Sequence, residues 1–162
     1  MKPVYHNTGF GRKRAERTTL GAILLDPDKM SDIAAVLQPN DFYDPTLRLI
    51  YTAICKLYED RTPIDFVTVT ESLKDEPKVN AIGGPAFVAE LAETLPTASH
   101  ATHYAEIVKE KSVRRDLVNV GSKIMELAAS DERSSTELVD AAEQLLLKLS
   151  HRATKADATQ LS

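Results

Sequence analysis

His100 and His103 stand three residues apart in a stretch of helical pattern, which puts two imidazoles on one helix face, the beginning of a divalent-metal site. With a carboxylate nearby, such a pair would activate water in a small metal-dependent hydrolase. A complete site needs further ligands, and no Cys, His or paired carboxylate lies at a companion spacing, so the sequence favours two surface histidines. Cys55 is the single cysteine, which rules out an internal disulfide. As a nucleophile it would need a neighbouring base. It follows Tyr51 and Ile54 along an apolar helical pattern with no predictable histidine partner, which reads as core packing. Asp26 with Asp28, and Asp41 with Asp44, have the composition of acid–base pairs, yet each pair abuts an Asp-Pro step or loop junction where an aspartate caps a helix. Gly83-Gly84 is the only glycine pair, and it lacks the Gly-Lys-Ser/Thr ending of a phosphate loop. No catalytic, cofactor-binding or metal-ligating residue is assigned, and the chain alone is not expected to be an enzyme.

Composition narrows the remaining classes. With 162 residues, 43% apolar and 27% charged, the chain is large enough for a core. It has no run of about 20 apolar residues and no charged-then-apolar leader, so no membrane role is expected. A reducing cytoplasm fits the cysteine count. The formal net charge of −4 is unevenly spread: residues 1 to 17 carry Lys2, Arg12, Lys13, Arg14 and Arg17 against Glu16, a net +4, leaving −8 for the remainder. An acidic body is no polyphosphate-binding surface, and strong direct DNA binding is not expected.

The elements that carry these residues are helical throughout. From His100 to Ala129 there is no proline and one glycine, Gly121, so about 30 residues can form a single helix of roughly 45 Å. Val113, Leu117, Val120, Ile124 and Leu127 recur at spacings of four and three, a coiled-coil seam. Val118, Gly121, Met125 and Ala128 form a second stripe beside it. After a short turn at Asp131-Glu132-Arg133, Ser134 and Glu137 make a capping box that opens a second helix. There Leu138, Ala142, Leu145 and Leu149 form one seam, while Val139, Leu146 and Leu147 point elsewhere around the axis. Two seams on one helix cannot face the same neighbour. The surplus is covered either by the chain's own core or by another chain, and each Leu left wet forgoes about 1.5–3 kcal/mol. Val113, Leu117, Val120, Leu127, Leu138, Leu145, Leu146 and Leu149 are the candidate oligomer-interface residues.

Ahead of this hairpin, Asp26-Pro27 and Asp44-Pro45 each open a short amphipathic helix, and Leu20, Ile23 and Leu24 mark one before them. Ile64 to Thr70 alternates like a strand, but nothing else in the chain pairs with it, so Asp65 reads as an N-cap of a helix to about Lys74. Gly83-Gly84-Pro85 precedes a further helix with Phe87, Val88, Leu91 and Leu95. The expected fold is all-α, a globular head of short helices followed by a long antiparallel helical hairpin. The expected divisions are a flexible basic arm over 1–14, the head over 15–98, the hairpin over 99–150, and the start of an interdomain linker over 151–162.

These residues, in order, bring a resemblance. Leu20-Gly21-Ala22-Ile23-Leu24-Leu25-Asp26-Pro27, Asp41-Phe42-Tyr43, Pro63-Ile64-Asp65 with Val67-Thr68-Val69-Thr70, Ile82-Gly83-Gly84, Glu90-Leu91-Ala92, Pro96-Thr97-Ala98 and Tyr104-Ala105-Glu106-Ile107-Val108 resemble the N-terminal domain of the DnaB-type bacterial replicative DNA helicase. Glu110 to Arg115 and Ala141-Ala142-Glu143 continue the match, so that it covers residues 15 to 150. The resemblance implies a DNA-replication role in the primosome, as the collar domain of a hexamer assembled as a trimer of dimers, with hairpins pairing between subunits. It implies docking of primase, and a part in loading by the helicase loader. Phe87, Val118 and Ile124 are the primase-docking candidates carried across by position. ATP and magnesium are expected only in a motor domain absent from this sequence. Where the family usually has Glu-Ala-Glu-Gln, this chain has Arg14-Ala15-Glu16-Arg17, which puts the start of the first helix and its head contacts in question. Two other readings remain: a free-standing regulator that imitates the collar, favoured by a reading frame ending at Ser162, and the small metal-dependent hydrolase.

Overall fold

The computed structural model describes residues 8–130 and 132–160, with side chains described over 13–129 and 132–154. Among them there are eight α-helices and no strand: α1 Thr8–Leu25, α2 Met30–Val36, α3 Pro45–Glu59, α4 Phe66–Leu73, α5 Pro77–Ala81, α6 Pro85–Glu93, α7 Ala101–Ser130 and α8 Ser135–Gln160. The chain divides into two compact units, Met1–Lys109 and Glu110–Ser162.

Local chemistry starts most of the head helices. Asp44 accepts from the amides of Thr46 and Leu47 and caps α3, with Pro45 at its first position. Asp26 caps a 3-10 turn, Pro27–Lys29, that leads into α2 rather than opening α2 directly. Asp65 and Thr68 form a reciprocal capping box, with the Thr68 amide donating to Asp65 Oδ1 at 2.8 Å and the Asp65 amide to Thr68 Oγ1 at 3.0 Å. The alternating β-branched run after Ile64 is therefore helical. Helix α5, which periodicity did not mark, lies between Glu76 and Gly83. Gly84 precedes α6 at φ 55°, a left-handed conformation natural to glycine.

The core of the first unit gathers Leu20 and Ile23 from α1, Met30 and Ile33 from α2, Phe42, Ile50, Tyr51 and Ile54 around α3, and Val69, Val88 and Leu91 from later helices. The Phe42 and Tyr51 rings stack tilted, 4.7 Å between centroids, and the Tyr51 hydroxyl donates to the Leu37 carbonyl at 3.0 Å. Two buried acids hold the loops. Glu16, on the same helix face as Thr19, Leu20 and Ile23, accepts from the amides of Tyr43 at 2.7 Å and Asp44 at 3.2 Å. Asp41 accepts from the Gln38 amide at 2.7 Å and pairs with Lys109 Nζ at 3.4 Å.

Two expected divisions fall within continuous helices and a third ahead of the unit boundary. Residues 1–7 of the expected flexible arm lie outside the described residues, and 8–14 are already the first turns of α1. The expected linker from His151 continues α8 to Gln160, with 161–162 outside the described residues. The expected start of the hairpin at residue 99 is too early: Ala101, Ala105 and Val108 belong to the core of the first unit, because the first turns of α7 complete its hydrophobic cluster.

Gly21 sets how closely α1 and α6 approach. A Cβ there would fall 2.1 Å from the Leu91 carbonyl oxygen and 3.0 Å from Leu95 Cδ1, so any side chain forces two backbones apart. At Gly121, in α7, a Cβ meets nothing within 4 Å. Gly21→Ala should therefore cost about 2–3 kcal/mol in urea unfolding, as overpacking does. Gly121→Ala should gain up to about 1 kcal/mol from helix propensity. Equal effects of the two alanines would contradict this packing.

Candidate docking surfaces

The aspartates that suggested chemistry have structural partners. Asp41 and Asp44 serve loop amides and a lysine, as described above. Asp28 donates its amide to Asp26 Oδ1 at 3.2 Å, a turn of two neighbouring acids. His100 and His103 are exposed, and among the described residues no group of three or more His, Cys, Asp or Glu is placed to hold a metal ion. Cys55 is half-buried against the core. Burial pushes its thiol from an ordinary 9.0 up to about 11, a rise that the Glu59 charge aids and the Tyr51 hydrogen bond opposes. Such a thiol is almost wholly protonated near neutrality and is a poor nucleophile.

The second unit is unusual in what it fails to bury. From Glu110 onward the only buried described side chain is Ser112, and no hydrophobic residue there reaches the core. The two helices run antiparallel. Near one end Arg152 Nη2 donates to Ser112 Oγ at 2.6 Å and pairs with Asp116, and nearer the turn Leu127 and Leu145 line one groove with Lys123, Ala141 and Lys148. At the turn the Ser134 amide donates to Glu137 Oε2 at 2.9 Å and the Glu137 amide returns to Ser134 Oγ, completing the capping box.

The expected interface residues fall into two groups. Val113, Val120, Leu127, Leu138, Leu145 and Leu149 are half-buried, along with Ile124. Leu117 and Leu146 are exposed, at 53% and 45%, in company with Val118, Met125, Val139 and Leu147. Each helix thus presents a partly covered seam and a bare one. Of the docking candidates, Val118 and Ile124 belong to this unit and Phe87 to the head.

Phe87 has a setting that sequence reasoning missed. The Arg17 guanidinium lies over its ring, 5.1 Å from the centroid, and Arg17 Nη2 donates to Glu90 Oε1 at 2.7 Å. A groove of the first unit runs past these side chains and Lys13, Leu47 and Ile82. Arg17 and Glu90 are 73 residues apart, so no local pattern linked them. The buried Glu16 was detectable, since Glu16, Thr19, Leu20 and Ile23 share helical spacing with the apolar face.

An all-α head followed by a bare two-helix unit has known relatives. Residues 12–110 match the family described as DnaB-like helicase N terminal domain, and the chain belongs to that family. It is 35% identical over 138 residues to the replicative DNA helicase DnaB of Geobacillus stearothermophilus, covering 85% of this chain and 30% of that protein. With the DnaB of Leifsonia xyli it shares 36% over 129 residues, 80% of this chain and 28% of the relative. The chain thus spans less than a third of the length of these curated relatives. Among solved structures, the N-terminal domain of DnaB helicase from Mycobacterium tuberculosis superposes with a TM-score of 0.76 at 35% identity, over 83% of this chain and 94% of that one. The corresponding domain from Helicobacter pylori, described with its interactions with primase, gives 0.61 at 28% identity, over 72% and 91%. No helix among the described residues is long and apolar enough to cross a membrane.

At pH 8 a thiol titrating near 11 is about 0.1% ionised, against about 10% at the unfolded value, so a disulfide reagent should label native Cys55 about 100-fold more slowly than the urea-unfolded chain. The linkage has a fixed sign. A thiol raised in the native state stabilises below its unfolded value, and that contribution is lost as pH climbs from about 9 through about 11. Equal labelling rates in the two states would show an accessible, ordinary thiol.

Proposed function

We propose that this chain is a non-catalytic assembly and docking domain of a replicative helicase, holding subunits in register and bringing primase to the ring. One observation carries the reading: the unit from Glu110 buries no hydrophobic side chain among its described residues yet exposes Leu117, Val118, Met125, Val139, Leu146 and Leu147. A bare apolar row of this size on a two-helix unit calls for another chain. Family membership supplies the class of chain, and a relative described with primase supports primase as one occupant.

In this reading the hairpins pair as dimers, and a second, heterologous contact closes three dimers into a ring. Primase held there meets its template at raised effective concentration. The helicase loader is a further proposed partner. ATP and magnesium act in a motor domain outside these 162 residues, and the protein works in the cytoplasm.

Sedimentation at micromolar concentration tests the assembly half. Dimers or larger species are expected, and Leu146→Glu should shift them toward monomer, while a strictly monomeric wild type would refute pairing through the hairpin. Ile124→Glu tests the docking half: binding to the primase helicase-binding domain should disappear with helical circular dichroism unchanged. Loss of helicity instead would make Ile124 a packing residue.

A further inference from the structure

We propose that Asp41 and Lys109 form a register lock, a pair of positioning residues that fixes where the first turns of α7 sit on the head. The inference concerns the first unit alone and stands apart from the identity of any partner chain. Lys109 is the last residue of that unit, and α7 continues beyond it as the same helix to Ser130. The lock therefore stands where the helix leaves the head.

The pair is poorly explained as a source of stability. Asp41 is fully buried and the Lys109 side chain is 10% exposed, so both charges have given up most of their water. Lys109 Nζ reaches the two Asp41 oxygens at 3.5 and 3.4 Å, against about 2.7–2.9 Å for a strong charge-assisted bond. Attraction at that range offsets little of the desolvation, and an apolar pair of similar volume commonly folds as well or better. Asp41 also has a duty that needs no cation, since its Oδ2 accepts the Gln38 amide at 2.7 Å. What a buried pair does supply is a penalty on wrong arrangements, and fixing register is its best-attested use.

The apolar part of the α7 contact is short of shape. Its buried residues are Ala101, Ala105 and Val108, with Ala98 just ahead of the helix and Ile107 half-buried beside them. Ala101 and Ala105 are one turn apart, so a slide of about 5.4 Å along the axis exchanges one alanine for the other. Methyl groups form shallow ridges, which leaves Val108 and Ile107 to resist the slide by packing. The charges penalise it in both directions. One direction carries the Lys109 ammonium into the apolar seat of Ala105, and the other leaves the buried Asp41 carboxylate with its cation a turn away. Asp41 does not follow the helix, because its loop is held from elsewhere: Glu16 accepts from the Tyr43 and Asp44 amides, and Arg48 donates to the Phe42 carbonyl.

The test compares the 162-residue chain with the double variant Asp41→Asn/Lys109→Met, a neutral pair that keeps an acceptor for the Gln38 amide. The urea midpoints of the two should agree. Amide exchange from Ala101 to Val108 should rise about tenfold relative to α3, and the resonances of those residues should split or broaden. Lys109→Arg, which keeps the charge, should retain a single sharp set. Lys109→Met alone strands the Asp41 charge and should unfold at lower urea than the double variant. Sharp single resonances with wild-type exchange in the double variant would assign the seat of α7 to apolar packing and overturn the lock. Loss of helical circular dichroism, or exchange rising equally in α3 and α7, would make the pair a stability element and overturn it as well. A double variant less stable than Lys109→Met alone would show two uncoupled charges, also against the proposal.

Discussion

The head depends on one close approach. At Gly21 the α1 backbone comes so near the Leu91 carbonyl that a methyl group would lie 2.1 Å from its oxygen. Everything along those two helices is then in register with that contact. One turn before Gly21, Arg17 reaches Phe87, one turn before Leu91, and Glu90, which is beside Leu91 in sequence. On the buried side Leu20 and Ile23 meet the cluster that holds Val88 and Leu91. The same lack of a side chain therefore sets both the core packing and the cation–aromatic surface outside it. Glu16 extends the arrangement by taking two loop amides ahead of α3, which leaves Asp44 free to cap that helix.

The second unit follows different energetics. It has no hydrophobic core of its own among the described residues, so its helices rest on capping, the Arg152 contacts to Ser112 and Asp116, and half-covered leucines. Isolated helices gain little from propensity alone, and most helical stability comes from packing an apolar face. A two-helix unit that leaves one seam bare leaves part of that packing unmade. Burying several such side chains at about 1.5–3 kcal/mol each gives pairing a drive that the lone chain lacks.

Local chemistry was legible in the sequence, and long-range pairing was not. Asp44-Pro45, Asp65 and the Ser134–Glu137 box each marked a helix start, because capping joins residues within one turn. At Ile64 to Thr70 that signal outweighed a strand-like alternation. The Arg17–Glu90 pair, 73 residues apart, and the Asp41–Lys109 pair, 68 apart, leave no periodic trace. Neither does a glycine chosen for a neighbour's carbonyl. The helicity of the ends was hidden for a related reason. Residues 8–14 and 151–160 lack an apolar stripe, so composition suggested an arm and a linker. Yet at 151–160 Ala, Lys and Arg are good helix formers that extend a helix already nucleated beside them, while the helical start at 8–14 forms despite Gly9 and Gly11.

The two surfaces differ in how strongly they could discriminate between partners. Apolar area of the kind exposed at Leu117, Val118, Leu146 and Leu147 favours association without orienting it strongly, because the hydrophobic effect is non-directional. A fixed guanidinium over an aromatic ring does the opposite. It adds modest energy at a partly exposed site, but it penalises any partner that presents a cation or nothing at that position.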